Sequence, residues 1–261
     1  MRGYQGPTRN AQDGPTVEHF GTPSTPRGKD NQMSTAGPDP FAREQGRLSV
    51  DVWSDVVCPF CYMGDAILEQ ALEKFPHRDA VDVRYRSFEL MPELPADSTT
   101  SPHELLATKR GIPREQVELM HEQVTARAAE LGLDYRFDRA LTTNTTAAHR
   151  LSHFAAAHGR QHAMVQRLFR AYFTDGLNIG DYDVLADLAA EVGLDRASAL
   201  AALAGGEFAD EVASDIALSR ELGISGVPFF VFNGKFAVSG AQPVEAFLQV
   251  LDTAWKESAD V

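Results

Sequence analysis

Cys58 and Cys61 are the only cysteines in this 261-residue chain, and they stand together in Ser54-Asp55-Val56-Val57-Cys58-Pro59-Phe60-Cys61-Tyr62-Met63-Gly64. A pair at this spacing is a redox couple, half of a metal site, or two buried thiols that happen to be neighbours. Zinc asks for four ligands, or three and a water, and no second cysteine pair and no histidine before His77 follows. Inert burial is the default for isolated cysteines. The position of this pair argues for chemistry instead, because it falls where a strand passes into a helix that opens on proline.

Leu48-Ser49-Val50-Asp51-Val52-Trp53 alternates as a strand does, with Leu48, Val50 and Val52 on one face, and Ser54 and Asp55 end it. After Cys58-Pro59, apolar residues recur at Tyr62, Ala66, Ile67, Ala71 and Phe75, a helical stripe that stops before Pro76. Pro59 suits the first turn of that helix, since it has no amide hydrogen to leave unpaired and its φ is already helical. The free N–H groups and positive dipole end at a helix start stabilise an anion, and thiols in such settings fall from about 8.5 to roughly 3.5–7.5 in pKa. Cys58 is then the attacking thiolate, and Cys61, one turn on, the resolving thiol. Phe60 adds neither charge nor hydrogen bond to a thiolate, which predicts a moderate oxidant at most.

Val81-Asp82-Val83-Arg84-Tyr85-Arg86 alternates again, so the opening is strand, helix, strand, the unit that closes into a parallel pair. From about Pro102 to Leu222 the period is helical. One stripe runs through Val117, Met120, Val124, Ala128 and Leu131, a second through Leu168, Phe169, Tyr172 and Phe173, and a third through Phe208, Val212, Ile216, Ser219 and Leu222. Phe169, Tyr172 and Phe173 read as core rather than a cofactor box. His149 reads as a packed or hydrogen-bonded histidine rather than a catalyst, and Asn144 as the cap of its helix. Two apolar runs then flank Asn233-Gly234, the strongest short hairpin signal, and Gln242-Pro243 opens a last amphipathic helix through Trp255. Gly226-Val227-Pro228 stands at the entrance of the first of these runs, where a proline marks a sheet edge or a cis turn.

The predicted fold class is therefore α/β: β-α-β, a large inserted all-helical domain, then β-β-α. The predicted boundaries are 1-47 as a disordered extension, 48-100 and 223-257 as one domain, and 101-222 as the insert. The first 47 residues hold 6 prolines and 7 glycines without hydrophobic period, too little apolar area to offset their ordering entropy. Met33 is the expected native start.

A formal charge of −13 repels phosphate backbones, which argues against nucleic acid as a partner. The longest apolar runs fall far short of the ~18–20 residues of a membrane span, and the N-terminus lacks a secretory signal's apolar core. These features predict a soluble cytoplasmic protein. In that reducing compartment a structural disulfide is not expected. No Gly-rich phosphate loop follows a strand, so no nucleotide cofactor is indicated.

Three motifs in order carry a resemblance: Asp51 to Gly64 with both cysteines, Asn144-Thr145 with Ala148-His149-Arg150, and Gly226-Val227-Pro228-Phe229-Phe230 followed by Val238-Ser239-Gly240-Ala241-Gln242-Pro243. From Leu48 to Trp255 the chain resembles the DsbA-like thioredoxin family, and within it the FrnE-like branch named for polyketide-biosynthesis dithiol-disulfide isomerases. The resemblance implies a thioredoxin fold interrupted by a helical domain, disulfide exchange at Cys58 and Cys61, and often homodimers. It implies that Pro228 is cis and lies against the reactive pair, leaving the Val227 backbone for a substrate strand, so that Pro59, Phe60, Val227 and Pro228 form the substrate-binding surface. Many relatives carry Trp where this chain has Phe60. The substrate would be a disulfide or dithiol, protein or small molecule, with no resident cofactor or metal and glutathione as a possible co-substrate. The rival class of the same architecture is the glutathione-dependent kappa-type transferases and hydroxychromene carboxylate isomerases, where a serine commonly stands in the place of Cys58; retention of both thiols favours redox exchange.

Overall fold

The computed structural model describes residues 18–19, 39–95, 98 and 100–259. In chain order the strands and helices are β1 (Glu18–His19), β2 (Leu48–Ser54), α1 (Pro59–Lys74), β3 (Val81–Ser87), α2 (Pro102–Arg110), α3 (Arg114–Glu130), α4 (Thr146–Ala157), α5 (Gln161–Arg170), α6 (Tyr182–Glu191), α7 (Arg196–Ala204), α8 (Ala209–Glu221), β4 (Phe229–Phe232), β5 (Phe236–Ser239) and α9 (Val244–Ala259). A π-helical turn, Ala171–Asp175, prolongs α5.

Among the described residues the strands form one sheet in the order β1-β5-β4-β2-β3. β2 runs parallel to β3, with Val50 opposite Val83 and Val52 opposite Tyr85, and antiparallel to β4. The hairpin signal at Asn233-Gly234 becomes the β4–β5 turn, with both residues at positive φ. Asn233 also ties the turn to the core: its Oδ1 accepts the Ser49 N–H at 3.0 Å and its Nδ2 donates to the Ala254 carbonyl at 3.0 Å.

Leu48, Val50 and Val52 were expected to mark one buried face of β2, but all seven residues of the strand are buried. α1 and α9 pack together on one side, while α4, α5 and α8 approach from the helical block. A central strand between two such layers has no wet face. The core is accordingly continuous, joining Val50, Met63 and Leu68 to Leu151, Phe169 and Phe173. Phe169, Tyr172 and Phe173 are buried, as expected. The α3 stripe is narrower than its period suggests: Val117 and Ala128 are buried but Met120 is exposed.

The expected N-terminal boundary needs correction. Residues 39–47 lie against the sheet rather than free of it, and Glu18–His19 pairs with β5. Phe41 packs edge-on against Trp53, and the guanidinium groups of Arg84 and Arg86 donate to the carbonyls of Ala42 and Pro40. Arg47 reaches Asp82 on β3. Cationic side chains of β3 hold a backbone that has no apolar period of its own. Met33 lies outside the described residues. Among the described residues no helix is long and apolar enough to cross a membrane.

Candidate active site

β2 ends at Ser54, the chain turns through Asp55, and the Asp55 carbonyl accepts the Cys58 N–H at 3.0 Å. Cys58 is the extended N-cap of α1 and Pro59 its first helical residue. The Cys58 carbonyl accepts from Cys61 N–H at 3.0 Å and Tyr62 N–H at 3.4 Å, closing the first turn. The two cysteines are free thiols that approach to 3.4 Å. Both are buried, whereas Phe60 is 40% exposed. The neighbourhood that the sequence implies at a helix start is therefore present, with Phe60 on the outer surface between the thiols.

The Cys58 thiol donates to the Val227 carbonyl at 3.6 Å. The Val227–Pro228 peptide bond is cis, and Pro228 is buried beside the helix. A Cβ on Gly64 would meet Pro228 Cγ and Phe230 Cζ at 3.0 Å, so glycine permits α1 to lie this close to the proline loop. Cys58, Cys61, Val227 and Pro228 thus converge. Pro59 is half-buried beside them, its carbonyl taken by a residue the sequence did not mark: the Tyr135 hydroxyl donates to it at 2.6 Å. Tyr135 belongs to the loop between α3 and α4 and stacks on Phe173 and Tyr62. Burial pushes its phenol up, helped by the nearby Cys58 and Cys61. Arg127 of α3 lies 5.9 Å over the Phe60 ring and donates to the Ala241 carbonyl at 2.7 Å. No periodicity or motif singles out either residue, because both act from loop or helix positions remote in sequence.

Burial pushes the Cys61 thiol well up from its ordinary value; the adjacent Cys58 adds to this, while hydrogen bonds from the Asp55 backbone and the Ser54 side chain oppose it. The turn that leads to Cys58 also carries a buried pair of acid and imidazole. His149 Nε2 of α4 is 3.4 Å from Asp55 Oδ1, and neither atom makes a formed hydrogen bond. The other Asp55 oxygen accepts the Leu90 N–H at 2.8 Å. Burial works against charge on His149, but the carboxylate of Asp55 outweighs it, and the imidazole pKa is raised. The expectation of a packed histidine holds for His149 as to burial, with an acidic partner that the sequence did not reveal. Asn144 serves its helix one position outside the N-cap, accepting the Thr146 N–H at 2.9 Å.

A second buried network lies farther along β2 and β3. Asp51 accepts from Arg86 Nε at 2.9 Å and Arg84 Nη2 at 3.2 Å. Arg86 Nη1 also donates to Asp215 Oδ1 of α8 at 3.1 Å. The remaining Asp215 oxygen accepts the Ser87 N–H at 2.9 Å and faces His153 Nε2 at 3.0 Å. The Asp215 carbonyl accepts the Trp53 indole N–H at 3.1 Å.

Among the described residues no group of three His, Cys, Asp or Glu is placed to hold a metal ion. An open groove of about 490 Å³ runs past His103, His121, Glu122 and Tyr135. His103 and His121 hydrogen-bond through their ring nitrogens at 3.0 Å. Burial, with His103 adjacent, lowers the His121 pKa to about 4.

Comparison with known proteins gives the chain its relatives. The DSBA-like thioredoxin domain family matches residues 49–252. The Bacillus subtilis (strain 168) protein YwbO is 31% identical over 212 residues, covering 80% of this chain and 98% of its own. Among solved structures, the "probable DsbA oxidoreductase SCO1869" of Streptomyces coelicolor superposes with a TM-score of 0.77 at 41% identity, covering 81% of this chain and 91% of that one. The cytosolic disulfide reductase DsbM of Pseudomonas aeruginosa shares the fold, with a TM-score of 0.57 at 21% identity over 80% of this chain and 99% of its own.

Proposed function

From the premise that the chain belongs to the DSBA-like thioredoxin domain family, we propose that it is a thiol–disulfide oxidoreductase working through Cys58 and Cys61. The observation that carries this is the contact of the two free thiols at 3.4 Å, with Cys58 at the N-cap of α1 and facing the Val227 carbonyl. The description of the 41%-identical Streptomyces protein as a DsbA oxidoreductase agrees with it.

In the reductive direction the Cys58 thiolate attacks one sulfur of a substrate disulfide. A Cys58–substrate disulfide forms, and the second substrate sulfur leaves as a thiolate. Cys61 then loses its proton and attacks Cys58 Sγ; the mixed disulfide breaks, and the substrate departs carrying both electrons, its two thiolates taking up protons. An external dithiol restores the enzyme. Run backwards, the same steps oxidise a substrate dithiol. The exposed face of Phe60 and the backbone at Val227 are the surfaces on which a substrate chain is read.

The finer reading places the protein in the FrnE-like branch, acting in the cytoplasm with disulfide isomerisation among its activities and glutathione as a possible co-substrate. Dithiothreitol-driven reduction of insulin tests the central proposal. The native protein should accelerate turbidity, Cys58→Ser should reduce the rate to background, and Cys61→Ser should trap mixed disulfides. A native protein that gives no acceleration, with insulin or with oxidised glutathione, overturns the assignment.

A further inference from the structure

The open groove of about 490 Å³ falls within the usual size of ligand pockets, and two contacts make it continuous with the surface around Cys58. Tyr135, which lines the groove, gives its hydroxyl hydrogen to the Pro59 carbonyl at 2.6 Å. Thr125 and Ala126 line it from α3, and the next residue, Arg127, lies over the Phe60 ring. The groove is bounded by α2, by α3 and by the loop that carries Tyr135, Phe137 and Asp138. Its walls are tied together: the rings of His103 on α2 and His121 on α3 hydrogen-bond at 3.0 Å, and His121 stacks on Phe137 with centroids 4.1 Å apart.

The lining selects the ligand. Its acids are Glu118, Glu122 and Asp138, and no lysine or arginine lines the groove. Glu118 already meets Arg114 at 2.9 Å. Glu122 and Asp138 are exposed and have no cationic partner among the described residues. With its pKa lowered to about 4, His121 brings no positive charge at neutral pH, and the carboxylates set the sign of the field. Among the described residues no three of these side chains are placed to hold a metal ion, so the fitting cation is an extended organic one rather than a chelated metal. Ala126, Tyr135 and Phe137 offer apolar surface beside the acids. A lysine or arginine side chain supplies both halves of the match, a charged head for the carboxylates and a hydrocarbon stem for the apolar wall.

We propose that this groove is a specificity site of the exchange reaction: it binds a lysine or arginine side chain of a substrate polypeptide close to the reacting disulfide, with Glu122 and Asp138 reading the charge. This deepens the oxidoreductase reading given above and rests on it. Neither carboxylate touches the reacting sulfurs; the groove holds the substrate chain while its disulfide lies at Cys58. Such an interaction is made equally in the bound complex and in the transition state, so it acts on the half-saturating concentration rather than on the limiting rate. The net charge of −13 attracts any cationic chain from a distance. The groove adds a dependence on where in the substrate the positive charge stands.

The test is stopped-flow reaction of the reduced full-length protein with short synthetic peptides whose single cysteine carries thionitrobenzoate as a mixed disulfide. Cys58 attacks the peptide sulfur, the S–S bond breaks, and thionitrobenzoate leaves as the absorbing thiolate. The peptides place one Lys at successive offsets from the cysteine, on either side, and are matched by peptides with norleucine or Glu at the same offset. At the preferred offset the Lys peptide should half-saturate the protein at a concentration about fivefold lower than its norleucine match, the order expected of one or two half-exposed charge pairs. Glu122→Gln combined with Asp138→Asn should bring that ratio to about one, and Glu122→Lys combined with Asp138→Lys should make the Glu peptide the better substrate, a reversal that a merely damaged fold would not produce. Equal half-saturation by Lys and norleucine peptides at every offset overturns the groove and leaves the oxidoreductase standing. So does a Lys preference that is the same at every offset, the mark of the net charge alone, or one that survives neutralisation of both acids. A native protein that releases thionitrobenzoate neither from these peptides nor from 5,5′-dithiobis(2-nitrobenzoate) overturns the oxidoreductase reading itself, and this proposal with it.

Discussion

Two buried ionic clusters stand on the seam between the sheet and the helices, and they are finished to different degrees. In the cluster of Asp51, Arg84, Arg86, Asp215 and His153, each of the four carboxylate oxygens has a donor within 3.2 Å. In the pair of Asp55 and His149, two facing polar atoms lie 3.4 Å apart with no formed bond between them. The first cluster runs from Asp51 in the middle of β2 to Arg86 and Ser87 at the end of β3, and Arg84 and Arg86 also reach the N-terminal segment at Ala42 and Pro40. In the second, the Asp55 carbonyl accepts the Cys58 N–H. Charges taken out of water are costly unless paired, so the cluster whose carboxylate oxygens are all satisfied, with only Arg84 Nε left without a partner, fixes geometry more firmly than the unbonded pair. The difference separates the part of the seam that ties α8 to β2 and β3 from the part beside the turn that leads to Cys58.

The sharpest way to break this contrast is Arg86→Ala. It leaves Asp51 and Asp215 buried without their shared cation, which should cost about 3–5 kcal/mol in urea unfolding, while the rate of Cys58 attack in folded protein stays unchanged. A cost near zero would mean that the network holds nothing. His149→Gln should cost less, about 1–3 kcal/mol for a buried partner removed, and its cost should depend on pH. Because the folded-state pKa of His149 is raised, the stabilisation from its proton is fully present below the unfolded value of about 6.5 and fades as pH climbs through the folded one. Unfolding at pH 5.5 and at pH 8.5 should therefore show the larger loss at the lower pH; the reverse order would place the imidazole in a neutral role. Tyr135→Phe removes one hydrogen bond to the Pro59 carbonyl and should cost about 0.5–1.5 kcal/mol, read as a small fall in thermal midpoint with thiol reactivity retained. Arg127→Ala removes a contact over an exposed ring and an exposed hydrogen bond to the Ala241 carbonyl, and should cost no more than about 1 kcal/mol. If it instead altered insulin turnover strongly, the Phe60 surface would have a larger part in substrate binding than its geometry implies.

The elements that position the cysteines were legible because each has a local signature. Cys58-Pro59 follows an alternating strand, Asn233-Gly234 divides two apolar runs, and the helices of the insert keep their period. The ionic seam was not legible, since Asp55 and His149 meet only when α4 folds back on β2, and neither residue's type or spacing announces the other. The same holds for β2, whose second buried face is covered by helices that come much later in the chain. Residues 39–47 escaped because their anchors are a lone aromatic, Phe41, one ion pair from Arg47 and backbone carbonyls, none of which forms a periodic pattern. Met120 fits the α3 stripe by spacing and is still 42% exposed, since spacing assigns a residue to a helix face but does not supply the element that covers it.

The chain has two tryptophans, and their placement gives the molecule its own optical probes. Trp53 is fully buried on β2, with its indole N–H given to the Asp215 carbonyl of α8. Trp255 is half-buried on α9 and stacks on His77 with ring centroids 4.2 Å apart. A Trp255→Phe protein therefore emits from the seam alone. A red shift of that emission under mild denaturant, while thiol reactivity persists, would time the departure of the helical block separately from the melting of the sheet.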